Sequence, residues 1–243
     1  MEKKRYNVFC NIFNEELKMQ QLKDKFSIKE YINKNKDLLL LLYWPLYGIV
    51  FWSMEFWEGR VYHPVVSVLD GYIPFSAWWV VPYFFWFVYI IGNIAWFFFK
   101  DRPALAKYMW FVIITHSIIA VVYFVYPTSQ LLRPEVTEKG FFYDVVRWLY
   151  GYDTNTNVCP SIHVAGSFAV MFAALSAKSI KSRWVKVLYV IAAVMICAST
   201  VFLKQHSIVD VWWGVILSAA VYPFVFCRNK YSRALLKCAH ISE

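Results

Sequence analysis

Residues 184–227, WVKVLYVIAAVMICASTVFLKQHSIVDVWWGVILSAAVYPFVFC, decide the fold. They form two apolar runs on either side of one polar knot, Lys204-Gln205-His206-Ser207-Ile208-Val209-Asp210. Each run is about 20 residues long, which is the length a helix needs to cross a hydrocarbon core of roughly 30 Å. The pair therefore reads as a transmembrane hairpin with its polar knot at one membrane surface. Charged groups in so apolar a setting are costly to hold and mark function more often than packing.

Working outward, four more apolar segments fall at 38–57, 77–99, 108–126 and 161–177, and the two runs of the hairpin refine to 184–203 and 206–227. The expected fold class is an all-α integral membrane protein, a six-transmembrane-helix bundle, with residues 127–160 as a long loop. Trp57, Trp78, Trp79, Tyr108, Tyr126 and Trp184 sit at segment ends, as an aromatic belt requires. Composition agrees: 60% hydrophobic and 21% aromatic residues with only 17% charged exceed what a soluble domain carries. The fourth segment is rich in small residues (Ala165, Gly166, Ser167, Ala169, Ala173, Ala174), which permits close backbone approach and places it inside the bundle.

The net charge of +9 is not spread evenly. Twenty Lys and Arg lie in 1–36, 100–107, 178–186 and 228–243, and the alternate segments hold only Arg60, Arg133, Lys139, Arg147 and Lys204. The positive-inside rule then puts both termini in the cytoplasm. It also explains the basic charge without a nucleic-acid partner. Three regions follow: a polar, amphipathic cytoplasmic segment 1–36, a six-helix membrane domain 37–227 and a basic cytoplasmic tail 228–243. The N-terminus is too polar for a cleaved signal peptide. The five cysteines show neither paired nor C-x-x-C spacing, and only Cys159 falls on the outer side, so neither a disulfide nor a metal site is expected.

In this topology three stretches meet at the outer interface: Leu132-Arg133-Pro134, Cys159-Pro160-Ser161-Ile162-His163 and the knot 204–210. His206 and Asp210 are four apart, one turn along a helix face. Asp210 can then hold one imidazole nitrogen and leave the other as nucleophile or base; a buried ion pair between helices has the same spacing. His163 follows Pro160 and Ser161 at a helix start, where free N–H groups suit an anion and a histidine suits a general acid. Ser161 is suited to capping as much as to phosphate. Arg133 and Lys204 match phosphate oxygens, or serve as headgroup anchors. Elsewhere, His116 and Asn93 read as interhelical hydrogen-bonding groups and His240 as solvated. Glu55, Glu58, Arg60, His63 and Asp70 form a first outer loop suited to a lid or substrate entrance. Asp153, Thr154, Asn155, Thr156 and Asn157 form a polar turn.

These residues resemble the type 2 phosphatidic acid phosphatase superfamily, which includes lipid phosphate phosphatases, vanadium haloperoxidases and undecaprenyl pyrophosphate phosphatases. Its motifs are K-x6-R-P, P-S-G-H and S-R-x5-H-x3-D. Arg133-Pro134 matches the end of the first, Pro160-Ser161-Ile162-His163 the second with Ile162 in place of Gly, and Ser199, His206 and Asp210 the third. Tyr126 stands where the first-motif Lys would be, and Thr200 where the third-motif Arg would be. The run 199–206 looks like a divergent branch leaning toward the inositol phosphorylceramide and sphingomyelin synthases.

The resemblance implies His206 as nucleophile, Asp210 as its partner and His163 as acid, with Arg133, Ser161, Lys204 and Ser199 binding phosphate. The expected function is a metal-independent, cofactor-free phosphatase acting on a lipid phosphate or pyrophosphate at the outer leaflet of the cell membrane, through a phosphohistidine. Its partners are that substrate and membrane lipids. A headgroup transferase using the same intermediate is the alternative. A membrane scaffold or transporter with a vestigial site is the alternative of another class.

Overall fold

The computed structural model describes residues 35–227 and 230–239. The amphipathic segment expected over 1–36 lies outside the described residues except for its last two positions, as do Cys10 and His240. Among the described residues there are eight α-helices: α1 (Tyr43–Glu55), α2 (Val80–Lys100), α3 (Arg102–Val125), α4 (Phe141–Tyr152), α5 (Ile162–Ser176), α6 (Arg183–Phe202), α7 (Ile208–Val225) and α8 (Lys230–Cys238). A 3-10 helix, Lys36–Leu42, leads into α1. The protein is mostly helical and its long helices are apolar, as an all-α membrane protein requires.

Five segments are long and apolar enough to cross a membrane: Lys36–Glu55, Ala77–Lys100, Arg102–Val125, Arg183–Phe202 and Ile208–Val225. The remaining expected span, the fourth segment at 161–177, forms a helix of only 15 residues, Ile162–Ser176. At 1.5 Å per residue it is about 22 Å long, short of a hydrocarbon core of about 30 Å. The outward faces are apolar: Val88 and Ile91 on α2, Leu188 and Val194 on α6, and Trp212 and Ile216 on α7 are exposed. A soluble helix would carry charge there.

α5 is the centre of the bundle, packed by α2, α3, α6 and α7. Its small residues make this possible, with Ala165, Ala169, Ala173 and Ala174 fully buried. Gly214 of α7 is the tightest point. A Cβ there would stand 2.8 Å from Val164 Cβ and 3.2 Å from the Ser161 carbonyl oxygen. Neither atom is the end of a flexible chain, so α5 and α7 would have to separate. Alanine would gain up to about 1 kcal/mol in helix propensity, but overpacking costs about 1–3 kcal/mol. Gly214→Ala is therefore expected to lower the melting temperature in detergent. Gly92→Ala, in an open position on α2, is expected not to.

Helix boundaries depart from hydropathy where polar residues cap. α3 starts at Arg102 rather than at 108, because Asp101 accepts from the Ala104 amide (3.2 Å) and Pro103 suits the first turn. The second Asp101 oxygen accepts from the Ser179 amide at 2.8 Å, tying the α2–α3 turn to the α5–α6 loop. Arg102 in turn pairs with Asp37 at 2.6 Å.

The long loop 127–160 is not all loop. α4 lies within it, starting after Gly140 (φ 138°) and burying Val146 and Leu149 against Ala77, Val80, Tyr83 and Leu203. The basic tail is not all solvated either. Leu236 of α8 and Ala239 just past its end pack against Ala106, and Trp110 Nε1 donates to the Leu235 carbonyl at 3.0 Å.

Candidate active site

α6 ends at Phe202, and the chain reverses within five residues before α7. The amides of Gln205 and His206 both donate to the Thr200 carbonyl, at 2.9 and 3.1 Å, and Lys204 takes a left-handed conformation (φ 53°). Ser207 then caps α7. Its hydroxyl accepts from the Val209 amide (3.2 Å), and Asp210 reaches back to the Ser207 amide (2.9 Å) in a capping box. His206 thus sits in the turn ahead of α7, not in its first turn as the hydropathy boundary placed it.

The pairing with Asp210 forms all the same. His206 Nδ1 lies 3.2 Å from Asp210 Oδ2. A carboxylate only accepts, so Nδ1 carries the proton and Nε2 keeps its lone pair. Nε2 faces Ser161 Oγ at 3.2 Å and His163 Nδ1 at 3.4 Å. The Ser161 amide donates to the Asp210 carbonyl (3.1 Å), joining the N-termini of α5 and α7. Ser161 is also the N-cap of α5, through Val164 N at 3.5 Å, so capping and site contact coexist in one hydroxyl. His163 is buried against Tyr83 and Trp86, with ring centroids 4.8 and 4.5 Å away.

Loops close over this group. Tyr123 at the end of α3 donates to the Pro160 carbonyl at 2.7 Å. Thr128 Oγ1 accepts from the amides of Val158 and Cys159. Cys159 is partly covered, and burial together with the nearby Asp210 carboxylate pushes its thiol pKa up. A two-residue parallel pairing joins His63–Pro64 to Thr128–Ser129. Glu55 accepts from Thr154 and, at 2.6 Å, from Asn157 Nδ2, so the end of α1 is fixed to the polar turn before α5. Between them opens a cavity of about 410 Å³, lined by Glu55, Arg60, Tyr62 and Thr154 among others.

The cations singled out in the sequence sit among carbonyls. Arg133 donates to the carbonyls of Tyr150 (3.2 Å), Asp153 (2.8 Å) and Thr154 (2.7 Å) and to Gln205 Oε1, and it stacks on the Tyr150 ring. Burial pulls its pKa down, and Asp153 opposes that shift. Lys204 Nζ donates to the carbonyls of Asp70 (2.8 Å) and Ile73 (2.5 Å). Burial lowers its pKa too, with Asp70 opposing. Ser199 donates to the Ile196 carbonyl within α6 and makes no side-chain hydrogen bond to His163, His206 or Asp210 among the described residues. At the two motif positions lacking a cation, Thr200 is back-bonded to Cys197 O (2.8 Å), and Tyr126 stacks on His63.

Lys204 works with a residue that sequence reasoning left among lid candidates. Asp70 accepts from the Ser207 hydroxyl (2.6 Å), the Ile208 amide (2.8 Å) and the Ser67 amide (2.7 Å). The loop around Asp70 is thereby locked onto the start of α7. A signal was present: Ser67-x-x-Asp70 is a capping-box spacing, and the box forms. Lys204→Ala leaves one buried and one part-buried carbonyl unpaired, at a cost of about 1–3 kcal/mol. It is expected to expose 60–76 to limited proteolysis in detergent.

Gln205 and Gln130 were also missed. Gln130 Nε2 donates to the Lys204 carbonyl (2.5 Å), and its Oε1 accepts from the Leu132 amide (2.6 Å). No charge or spacing signal marks either glutamine. Three buried polar atoms of the site have no partner: Asp210 Oδ1, Arg133 Nε and Gln205 Nε2.

Neither the curated proteins nor the solved structures contain a match to this chain. The PAP2 superfamily model matches residues 104–234, more than half of the sequence, from the first turn of α3 through α8's first half, so that all three functional stretches fall within it. With that match, the chain belongs to the PAP2 superfamily.

Proposed function

We propose that the protein is a phosphatase of lipid phosphates or pyrophosphates that works through a phosphohistidine on His206. Members of the superfamily are generally phosphatases or related phosphotransferases acting on such compounds. The observation that carries the reading is the orientation of His206. Its Nδ1 is held by Asp210, and its Nε2 lone pair faces His163 and Ser161. Nε2 attacks phosphorus while the bond from phosphorus to the lipid oxygen breaks, and His163 gives its proton to that oxygen. Asp210 stabilises the charge that develops on the His206 ring. In the second step His163 takes a proton from water, the resulting hydroxide attacks phosphorus and the P–N bond breaks. Phosphate leaves and His206 is restored. The equatorial oxygens meet Ser161, the free amides at the start of α5 and the Arg133 side.

The membrane arrangement belongs to the same proposal. α5 is the sixth pass, short because it is enclosed by other helices, and both termini are cytoplasmic. The site then opens to the outer leaflet of the cell membrane. The twenty-to-five division of Lys and Arg supports this orientation. Cys227 and Cys238 are exposed near the opposite end of the bundle. Both are expected to react with an impermeant maleimide only after cells are permeabilised. Labelling in intact cells would reverse the orientation. Cys159 is a poor reporter, because its raised pKa keeps the thiol protonated at neutral pH.

The test of function is phosphate release by purified protein from a panel of lipid phosphates and pyrophosphates, with and without an added lipid alcohol. Release to water supports the phosphatase. Transfer of the labelled headgroup to the alcohol, without release, makes it a transferase. Neither result leaves a membrane scaffold.

A further inference from the structure

The two cations expected at the site are already committed. Lys204 Nζ holds two carbonyls of the Asp70 loop, and both terminal nitrogens of Arg133 hold carbonyl or amide oxygens. Thr200 and Tyr126 occupy the places of two more. A phosphoryl group would still need donors for its equatorial oxygens, where charge builds up. Gln205 Nε2, on the residue next in sequence to His206, and Arg133 Nε, on the side chain that holds Gln205, are buried side-chain donors with no protein partner.

The Gln205 side chain is fixed, not free to choose. It is 3% exposed, and its Oε1 accepts from Arg133 Nη2. A guanidinium has only donors, so the oxygen must face it and the NH2 must face away. Rotating the amide would set donor against donor. The result is a buried amide donor, next in sequence to His206, whose two hydrogens meet no protein acceptor. Leaving such a group unpaired in a native interior is costly, and the usual explanation is a ligand or water.

We infer that Gln205 is a phosphate-oxygen donor of this site, held in place by Arg133, and that the amide together with Arg133 Nε takes the role of the absent cations. The inference rests on the phosphatase reading above. It also assigns Arg133 two tasks, orienting Gln205 through Nη2 and presenting Nε.

Gln205→Glu separates this role from a structural one. Glutamate keeps the acceptor for Arg133 and makes that contact an ion pair, so a merely structural Gln205 tolerates the change. The donor, however, becomes an acceptor that repels phosphate oxygens. Turnover is expected to fall about a hundredfold or more, the usual loss for one such donor, with the melting temperature in detergent unchanged or raised. Gln205→Met removes the donor without adding charge and is expected to fall less far.

Orthovanadate gives a readout independent of turnover. It should raise the melting temperature of the wild type and of His163→Ala, but not of Gln205→Glu. Because the shift is read within each variant, a lower starting stability does not confound it. Wild-type turnover in Gln205→Glu, or an undiminished vanadate shift, overturns the inference while leaving the phosphatase intact. A wild type that neither turns over lipid phosphates nor responds to vanadate overturns both. A wild type that responds to vanadate through Gln205 without turnover upholds the anion site and removes only the phosphatase.

Discussion

His206→Ala is expected to leave no measurable turnover of any lipid phosphate. Among the described residues, the side chain removed is the only imidazole whose Nδ1 is held by a carboxylate and whose Nε2 faces the second histidine. Loss of a nucleophile from a comparable three-residue machine costs about a millionfold in rate. The fold should survive. The backbone amide of His206 stays bonded to Thr200, and Asp210 keeps the Ser207 amide. Melting in detergent is therefore expected within about 1–3 kcal/mol of wild type, the cost of one lost buried hydrogen bond. Activity in His206→Ala above about one part in a thousand of wild type, far more than the roughly one part in a million that binding and oxyanion stabilisation leave by themselves, would move the nucleophile elsewhere.

Asp210→Asn carries the second-largest expected loss, because shape is kept and charge is not. Asparagine retains one oxygen for the Ser207 amide and the capping box. It removes the negative charge that steadies the ring as it becomes phosphorylated. The equivalent change in a serine-protease triad lowers kcat about ten-thousandfold, there by selecting the wrong tautomer. Here Oδ2 serves both the Ser207 amide and His206 Nδ1, so the retained oxygen keeps the tautomer and only the charge is lost. A loss of up to that size is expected, with KM little changed. A loss below tenfold would show that Asp210 serves chiefly as the cap of α7. The substitution also turns the buried Asp210 Oδ1, which has no hydrogen-bond partner, into an NH2, and a modest fall in stability is expected to accompany the rate loss.

The long apolar helices were legible because membrane solvation writes itself into composition over about 20 residues. What hydropathy missed were features set by single polar contacts. Asp101 moved the start of α3 six residues earlier than the aromatic belt suggested. α4 was hidden because 12 residues with a polar face look like loop on a hydropathy scale, although Val146 and Leu149 lie three apart on one buried face. The short α5 was legible through its alanines, which also explain why it lies inside the bundle.

At the site, His163, His206 and Asp210 were readable from spacing, since an i,i+4 pair and a proline-led helix start constrain position strongly. Their convergence at one end of the bundle follows from the alternation of spans. The hydrogen-bond partners of Arg133 and Lys204 were not readable. Both reach backbone carbonyls of loops distant in sequence, and carbonyls leave no mark in a sequence. Gln205 was invisible for the same reason: its importance comes from what Arg133 does to its orientation.

The central claim is a covalent bond from phosphorus to His206 Nε2. Purified protein incubated briefly with a lipid carrying labelled phosphate, then denatured in alkali, should retain label. The label should be stable to base and released by mild acid, and fragmentation should place it on the peptide holding His206. His206→Ala should retain none, and His163→Ala, which lacks the acid of the first step as well as the base of the second, should lose whatever label it gains more slowly than wild type. Turnover by the wild type with no trapped label under these conditions, or label that persists in His206→Ala, would contradict the account.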